Sequence, residues 1–275
     1  VLFRSISAVD CALWDIAGKA LNQPVYRLLG GAYREKIPAY VSGLPVPGLE
    51  EKVRLALEWK EKGFSAIKLQ IGYGMEEDIR IMTALRKALG PDVKLMIDAH
   101  WNYTVPQAIK LARRLEPLGV EFLECPLNPE DTDGYAELAA AVDLPIALGE
   151  ADRTHWQYKE ILTKRSCDIL QPDVGRCGIT ELMRIAQMAE VFGRPVAPHL
   201  SVGQGACIAA TLHCDAALYN FYGMQEYQPS ILPVANEFLA EPIICENGFL
   251  RVPDKPGLGL VFDEDKLRKY SDNTR

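Results

Sequence analysis

The feature that most restricts this fold is an alternation that runs along nearly the whole chain. Short apolar runs take turns with longer segments of helical periodicity. IPAYVSG, AIKLQI, KLMIDAH, EFLECP, PIALGE, DILQPD, PVAPH and FYGMQEY read as eight strands, starting at residue 37. Between them, LEEKVRLALEWKEKG, EEDIRIMTALRKALG, VPQAIKLARRLEPLG, DGYAELAAAV, WQYKEILTKR, ITELMRIAQMAEVFG and GACIAATLHCDAAL place apolar residues at helical spacing. Gly63, Gly90, Gly119 and Gly193 close four of these segments, as helix ends require. A crossover helix returns the chain in one direction, so the strands are predicted to be parallel. A doubly wound open sheet would show the same beat, but no glycine-rich nucleotide turn follows the first strand. The pattern predicts a closed TIM-type (β/α)7β parallel barrel, and 275 residues with 48% hydrophobic content suffice for one.

In a barrel of this kind the C-terminal ends of the strands face the active site. Here those ends carry Lys68 and Gln70, Asp98 and His100, Glu124, Glu150, Asp173, His199 and Glu226. So many ionisable groups in one mouth are unfavourable unless they pair or bind a cation. Asp98, Glu124 and Glu150 fall on successive strands, 26 residues apart each time. Three converging carboxylates raise one another's pKa unless a cation sits among them. Oxygen-only ligands suit a hard divalent ion, Mg²⁺ above all. The bland alternative is that one of the acids merely pairs with a lysine.

Asp173 and His199 end neighbouring strands, and a carboxylate on one ring nitrogen raises the basicity of the other. That pairing makes His199 a proton-transfer candidate. Lys68 and Gln70 share a strand face by their i, i+2 spacing. Lys68 suits a substrate carboxylate or, as in barrel aldolases, a Schiff base; the neighbouring metal-type acids disfavour the second. Gln70 cannot act as a base and is expected to hydrogen-bond substrate. Asp98 and His100 also share a face and would project together. His155 and His213 lie on predicted helices and read as packing or surface residues, and Cys125 reads as a packed strand thiol.

A net charge of −7 argues against nucleic acid or an anionic membrane as partner. No apolar run has the length of a membrane span and no signal-peptide pattern opens the chain. Seven scattered cysteines without a C-x-x-C pair read as reduced thiols, so a cytoplasmic location is expected. The opening VLFRS reads as a cloning or sequencing remnant, at residues 1–5, before an amphipathic helical segment with nothing ahead of it to pack on.

The ordered set IKLQ, MIDAH, FLECPL, LGE, QPDVGRCGIT, APHLSVG and MQEY resembles the enolase superfamily, within it the mandelate racemase subgroup, over residues 6 to about 262. The resemblance implies Mg²⁺ on Asp98, Glu124 and Glu150, a His199–Asp173 dyad, and Glu226 hydrogen-bonding a substrate carboxylate. It implies that a base removes the proton α to that carboxylate while the metal stabilises the enediolate. Racemases of the subgroup carry a second basic lysine where this chain has Gln70, which argues against racemisation. The Asp-x-His at 98–100 is similar to sugar-acid dehydratases of the D-galactonate dehydratase type, where the histidine protonates the departing β-hydroxyl.

The expected activity is therefore Mg²⁺-dependent dehydration of an aldonate or aldarate to a 2-keto-3-deoxy acid. Alternatives sharing the enediolate are a cycloisomerase acting on a lactone or anhydrosugar acid, and an epimerase using His199 and His100. A catalytically inactive sugar-acid-binding fragment is a third, and a glycosidase using Glu124 and Glu226 leaves the Asp98–Glu150 spacing unexplained. The resemblance implies that the subgroup's N-terminal α+β capping domain is not among these residues, so 6–36 are expected to be a connecting helix and linker, 37–235 the barrel, and 236–275 a segment returning toward the cap. Relatives in the subgroup form oligomers, so a homo-oligomer is expected of the full-length parent.

Overall fold

The structure, a computed structural model, describes residues 2–200 and 203–273. Six parallel strands come first: β1 (Lys36–Ser42), β2 (Ala66–Gln70), β3 (Lys94–Asp98), β4 (Val120–Glu124), β5 (Ile146–Leu148) and β6 (Ile169–Leu170). They pair in chain order. Strand β7 (Gln225–Tyr227) then pairs parallel with β1 and closes the ring. Between β6 and β7 the seventh strand position is reduced to bridges: Val196 to Leu170 and Phe221, and His199 to Asp173.

Two of the expected strands are therefore shorter than the sequence suggests. Pro172, Pro195 and Pro198 sit in those runs, and proline has no N–H for a ladder. Asp173 consequently does not end β6. It is the N-cap of the next helix, with its carboxylate accepting from Gly175 N–H at 2.7 Å.

Helices α1 (Leu2–Ala20) and α2 (Val25–Leu28) precede the barrel. The ring is wrapped by α3 (Leu49–Glu61), α4 (Met75–Leu89), α5 (Val105–Leu115), α6 (Thr132–Ala141), α7 (His155–Lys164), α8 (Val174–Val191) and α9 (Gly205–Ala217). Local chemistry sets their ends. Helix α4 opens with Glu76, Glu77 and Asp78 and closes with Arg86 and Lys87, complementing its dipole. At α5 the Gln107 side chain accepts the Thr104 N–H at 2.9 Å. The apolar faces of these helices and the outer face of the strands form one continuous core, with Leu85, Leu111, Leu138, Ile161 and Ile185 at most 1% exposed.

Leu2–Ser5, within the opening segment set aside above, are continuous with α1. Helix α1 packs on α8: Trp14 donates to Thr180 Oγ1 at 2.9 Å, Asp10 accepts from Thr180, and Ser7 donates to the Gly175 carbonyl at 2.7 Å. After β7 the chain forms α10 (Leu232–Ala235), the hairpin β8 (Cys245–Glu246) and β9 (Phe249–Arg251), and α11 (Glu264–Asn273). Strand β9 pairs antiparallel with the start of β1. Gly257 and Leu258 hydrogen-bond Gln23, Val25 and Asp15, joining the two ends of the described chain.

Candidate active site

Register brings the polar residues together. Gln70 lies opposite Asp98, and Asp98 opposite Glu124, so three strand ends finish in one row. After β5 the row continues by a turn: Gly149 has φ 131°, and a Cβ there would lie 2.9 Å from the Tyr158 ring. Only glycine suits that backbone, and it turns Glu150 inward.

Lys68 is the hub on one side. Its Nζ donates to both Glu124 oxygens at 2.8 and 2.7 Å and lies 3.1 Å from Glu226 Oε1. Lys68 and Glu124 are 1% and 0% exposed. Burial alone would lower the lysine pKa, but Glu124 and then Glu226 drive it well above its ordinary value. Glu226 is moved the other way: Lys68 and His199 outweigh burial and hold its carboxyl at about 2. In this structure Glu226 is an acceptor, from Lys68, from Leu200 N–H at 3.0 Å and from Gln228 at 3.3 Å.

His199 is the hub on the other side. Its Nδ1 lies 2.8 Å from Asp173 Oδ2, its Nε2 3.1 Å from Glu150 and 3.9 Å from Glu226. Burial would lower the imidazole pKa, but Glu226, Asp173 and Glu150 together raise it well above the ordinary value. Burial likewise works to raise Glu150, yet the His199 hydrogen bond and charge, followed by Lys68 and His100, hold it below the usual range.

Asp98 and Glu124 are pushed upward. Burial is the main cause for both; Lys68 opposes it, while Glu150 adds repulsion at Asp98 and Asp98 adds it at Glu124. Asp98 Oδ1 is engaged by the His100 N–H at 2.9 Å. Among the described residues, the tightest group of metal-type ligand atoms is Glu124, Glu150 and His199, all within 4.8 Å of one another. The sequence expected Asp98, Glu124 and Glu150; Asp98 stands apart because its oxygen caps its own loop, and His199 joins because Nε2 bonds Glu150. Five carboxylates thus share the mouth with one lysine and one histidine, and such an oxygen-rich, under-neutralised set fits a divalent cation.

Gln70 and His100 lie exposed at the rim, and the His100 ring stacks on Trp101 with centroids 4.3 Å apart. The sequence reading missed Gln171. It is fully buried and donates through Nε2 to Glu124 Oε2 at 2.8 Å. Its signal was present: it follows β6 directly and precedes Asp173 by two residues. The other histidines lie elsewhere, His155 against Glu181 and His213 buried beside Tyr26.

A closed parallel barrel whose mouth joins metal-type carboxylates to a histidine–aspartate dyad and a buried lysine defines a class of carboxylate-activating enzymes. The family model described as enolase C-terminal domain-like matches residues 51–266, and the mandelate racemase / muconate lactonizing enzyme N-terminal domain matches residues 2–30. The chain belongs to the enolase superfamily, in its mandelate racemase group. Arabinonate dehydratase of Saccharolobus solfataricus is 39% identical over 275 residues, 98% of this chain and 73% of that protein. D-galactarolactone cycloisomerase of Agrobacterium fabrum is 36% identical over 278 residues, 97% of this chain and 73% of that protein. The crystal structure of the 3,6-anhydro-D-galactonate cycloisomerase from Zobellia galactanivorans superposes with a TM-score of 0.91 at 40% identity, covering 98% of this chain and 76% of that one.

Enzymes of this superfamily use a divalent metal. No helix among the described residues is long and apolar enough to cross a membrane.

Proposed function

We propose that this protein dehydrates a sugar acid, an aldonate or aldarate, to a 2-keto-3-deoxy sugar acid, with Mg²⁺ as the metal. The observation that carries the reading is the His199–Asp173 contact at 2.8 Å, which fixes Nδ1 and leaves Nε2 turned into the carboxylate cluster. Asp98, Glu124 and Glu150 would hold the Mg²⁺. When bound, it supplies positive charge beside the oxyanion of the enediolate.

With a cation on Asp98, Glu124 and Glu150 to offset the negative charge that keeps His199 protonated here, Nε2 is free to take the proton α to the substrate carboxylate as the Cα–H bond breaks. Asp173 keeps the ring in the tautomer that can accept it and stabilises the imidazolium formed. Lys68, held protonated, donates to a substrate carboxylate oxygen as its charge grows. Glu226 and Gln171 act around it, one orienting the ammonium and the other occupying an oxygen of Glu124. For Glu226 to donate to a substrate carboxylate it must take up a proton when that second negative charge arrives. Gln70 hydrogen-bonds a substrate hydroxyl at the rim. His100 gives its proton to the departing β-hydroxyl, so the C–O bond breaks, water leaves, and the enol product tautomerises to the keto acid.

The test is exchange of the substrate α-hydrogen in deuterium oxide. His199→Asn is expected to reduce it by about 10²–10⁴-fold, the range for loss of a positioned base; undiminished exchange ends the assignment. Mg²⁺ at 100 times its Kd should add about 2.7 kcal/mol to stability, and an unchanged melting temperature speaks against a metal centre.

A cycloisomerase is the second reading, favoured by the two relatives of that activity. The mass balance separates them, since dehydration lowers the substrate's mass by one water while cycloisomerisation of a lactone or anhydrosugar acid leaves it unchanged; semicarbazide, which traps a 2-keto acid, separates dehydration from epimerisation. The seven free cysteines support a cytoplasmic setting. A homo-oligomer accompanies the proposal by family expectation and is read directly by sedimentation.

A further inference from the structure

The loop between β3 and α5 holds His100 in a backbone that side-chain-bearing residues seldom adopt. His100 and Trp101 have φ of 41° and 66° in succession. That left-handed region costs a non-glycine residue about 1–2 kcal/mol. Two such residues persist only where their surroundings over-determine them.

The restraints are visible. Trp101 N–H donates to the Cys125 carbonyl at 2.7 Å and Tyr103 N–H to that of Pro126 at 3.0 Å. Asn102 donates through its side chain to the Ala99 carbonyl at 2.9 Å. One further restraint arrives from a different strand–helix unit. Asp78, in the first turn of α4 and fully buried, accepts the Tyr103 hydroxyl. The same carboxylate accepts the N–H of Gly72, at 3.2 and 3.1 Å to its two oxygens, and of Tyr73 at 3.1 Å.

Gly72 and Tyr73 belong to the loop that follows Gln70. The two loops also touch: a Cβ on Gly72 would lie 2.4 Å from Asn102 Nδ2, and Gly72 has φ 115°. A buried carboxylate is unfavourable unless its oxygens are occupied. Here the donors that occupy them come from both loops, so Asp78 ties the strand end carrying Gln70 to the one carrying His100.

We propose that Asp78, acting through Tyr103, is a positioning residue for His100. It holds the β3 loop against the β2 loop so that the imidazole stays stacked on Trp101 and over the mouth. What His100 does from that position rests on the dehydratase reading; where the ring is held does not.

The test is Tyr103→Phe, which removes one donor from Asp78 and keeps the aromatic packing. Gly72→Ala is the second variant, pressing on Asn102 from the opposite loop. Two readouts are taken on the protein: the ε1 signals of ¹³C-labelled histidines, with His100 assigned by its loss in His100→Asn, and the partition of turnover between α-hydrogen exchange and loss of water. The His100 signal is expected to lose its ring-current shift from Trp101 in both variants. Loss of water should fall by roughly 10-fold or more while α-hydrogen exchange stays within about twofold, as when only the general acid is displaced. A His100 signal unmoved in both variants overturns the proposal, and so does an equal fall in exchange and water loss. Should the wild-type protein exchange no α-hydrogen of any sugar acid, the dehydratase reading falls, and the histidine signals alone then decide the tether.

Discussion

Two layers of side chains fill the barrel one pleat apart, and their chemistry is opposite. The lower is apolar: Tyr40, Ala66, Met96, Phe122, Ile169 and Ala197 pack together in the interior. Two residues further along the same strands stand Ser42, Lys68, Asp98, Glu124, Gln171 and His199. Residues i and i+2 share a face, so both layers point inward from one backbone. Only β5 departs, where the positive φ at Gly149 adds a residue between Ala147 and Glu150. The lower layer gains from every methylene it buries. The upper layer must offset the desolvation of its charges by pairing them, which is poor stabilisation and good chemistry.

The sharpest test of that contrast sets one residue of each layer against the other. Phe122→Ala should destabilise by about 3–5 kcal/mol through the cavity it leaves. Lys68→Met should cost a similar amount, about 3–5 kcal/mol, by leaving Glu124 and Glu226 without their buried counter-charge. Urea unfolding with and without Mg²⁺ tells them apart: the divalent cation should recover most of the Lys68→Met loss and add to Phe122→Ala only what it adds to wild type. Equal responses in the two variants would erase the distinction between the layers.

A smaller effect is expected at Gln171→Leu, which removes one donor from a buried carboxylate: about 1–3 kcal/mol in unfolding. Calorimetry should show a shift in divalent-metal affinity of about 10- to 100-fold, the usual influence of a group that orients a metal ligand. If metal affinity stays put, Gln171 is packing and nothing more.

The smallest effect concerns a buried titratable group outside both layers. Burial lowers the His213 imidazole from 6.5 to about 4. Between those values the unfolded chain binds the proton more readily, so His213 removes stability as pH falls through 6.5 toward 4 and none above. From pH 7 to 5 the loss is about 2 kcal/mol. It is read as the difference between wild type and His213→Phe, in which the other titrating groups cancel.

Much of this arrangement is legible in the chain because a barrel converts sequence period into position. The strand–helix beat alone places Lys68, Asp98, Glu124 and Glu226 at one end, and the structure finds them there. What sequence does not carry is which way a carboxylate turns. Asp98 bonds its own loop and His199 turns to Glu150, so the tightest ligand group differs from the one that strand spacing suggests. Gln171 escaped because a neutral amide draws no attention until its partner is seen. Asp78 and Tyr103 escaped because their contact joins separate units, 25 residues apart. Proline shortened β6 and reduced the seventh strand to bridges, although the apolar pattern of both runs remained intact.

The closure of the ring on β1 has a consequence for how the molecule is made. Ala39 pairs with Gln225, and Lys36 with Arg251. Of the strands described here β1 is made first, and it waits, both its lower start and its upper end unmatched on one side, until β7 and β9 have been synthesised. Contacts so distant along the chain form late and slowly. During that interval an unpaired edge is open to other chains, which makes β1 the place where a misassembled copy would begin.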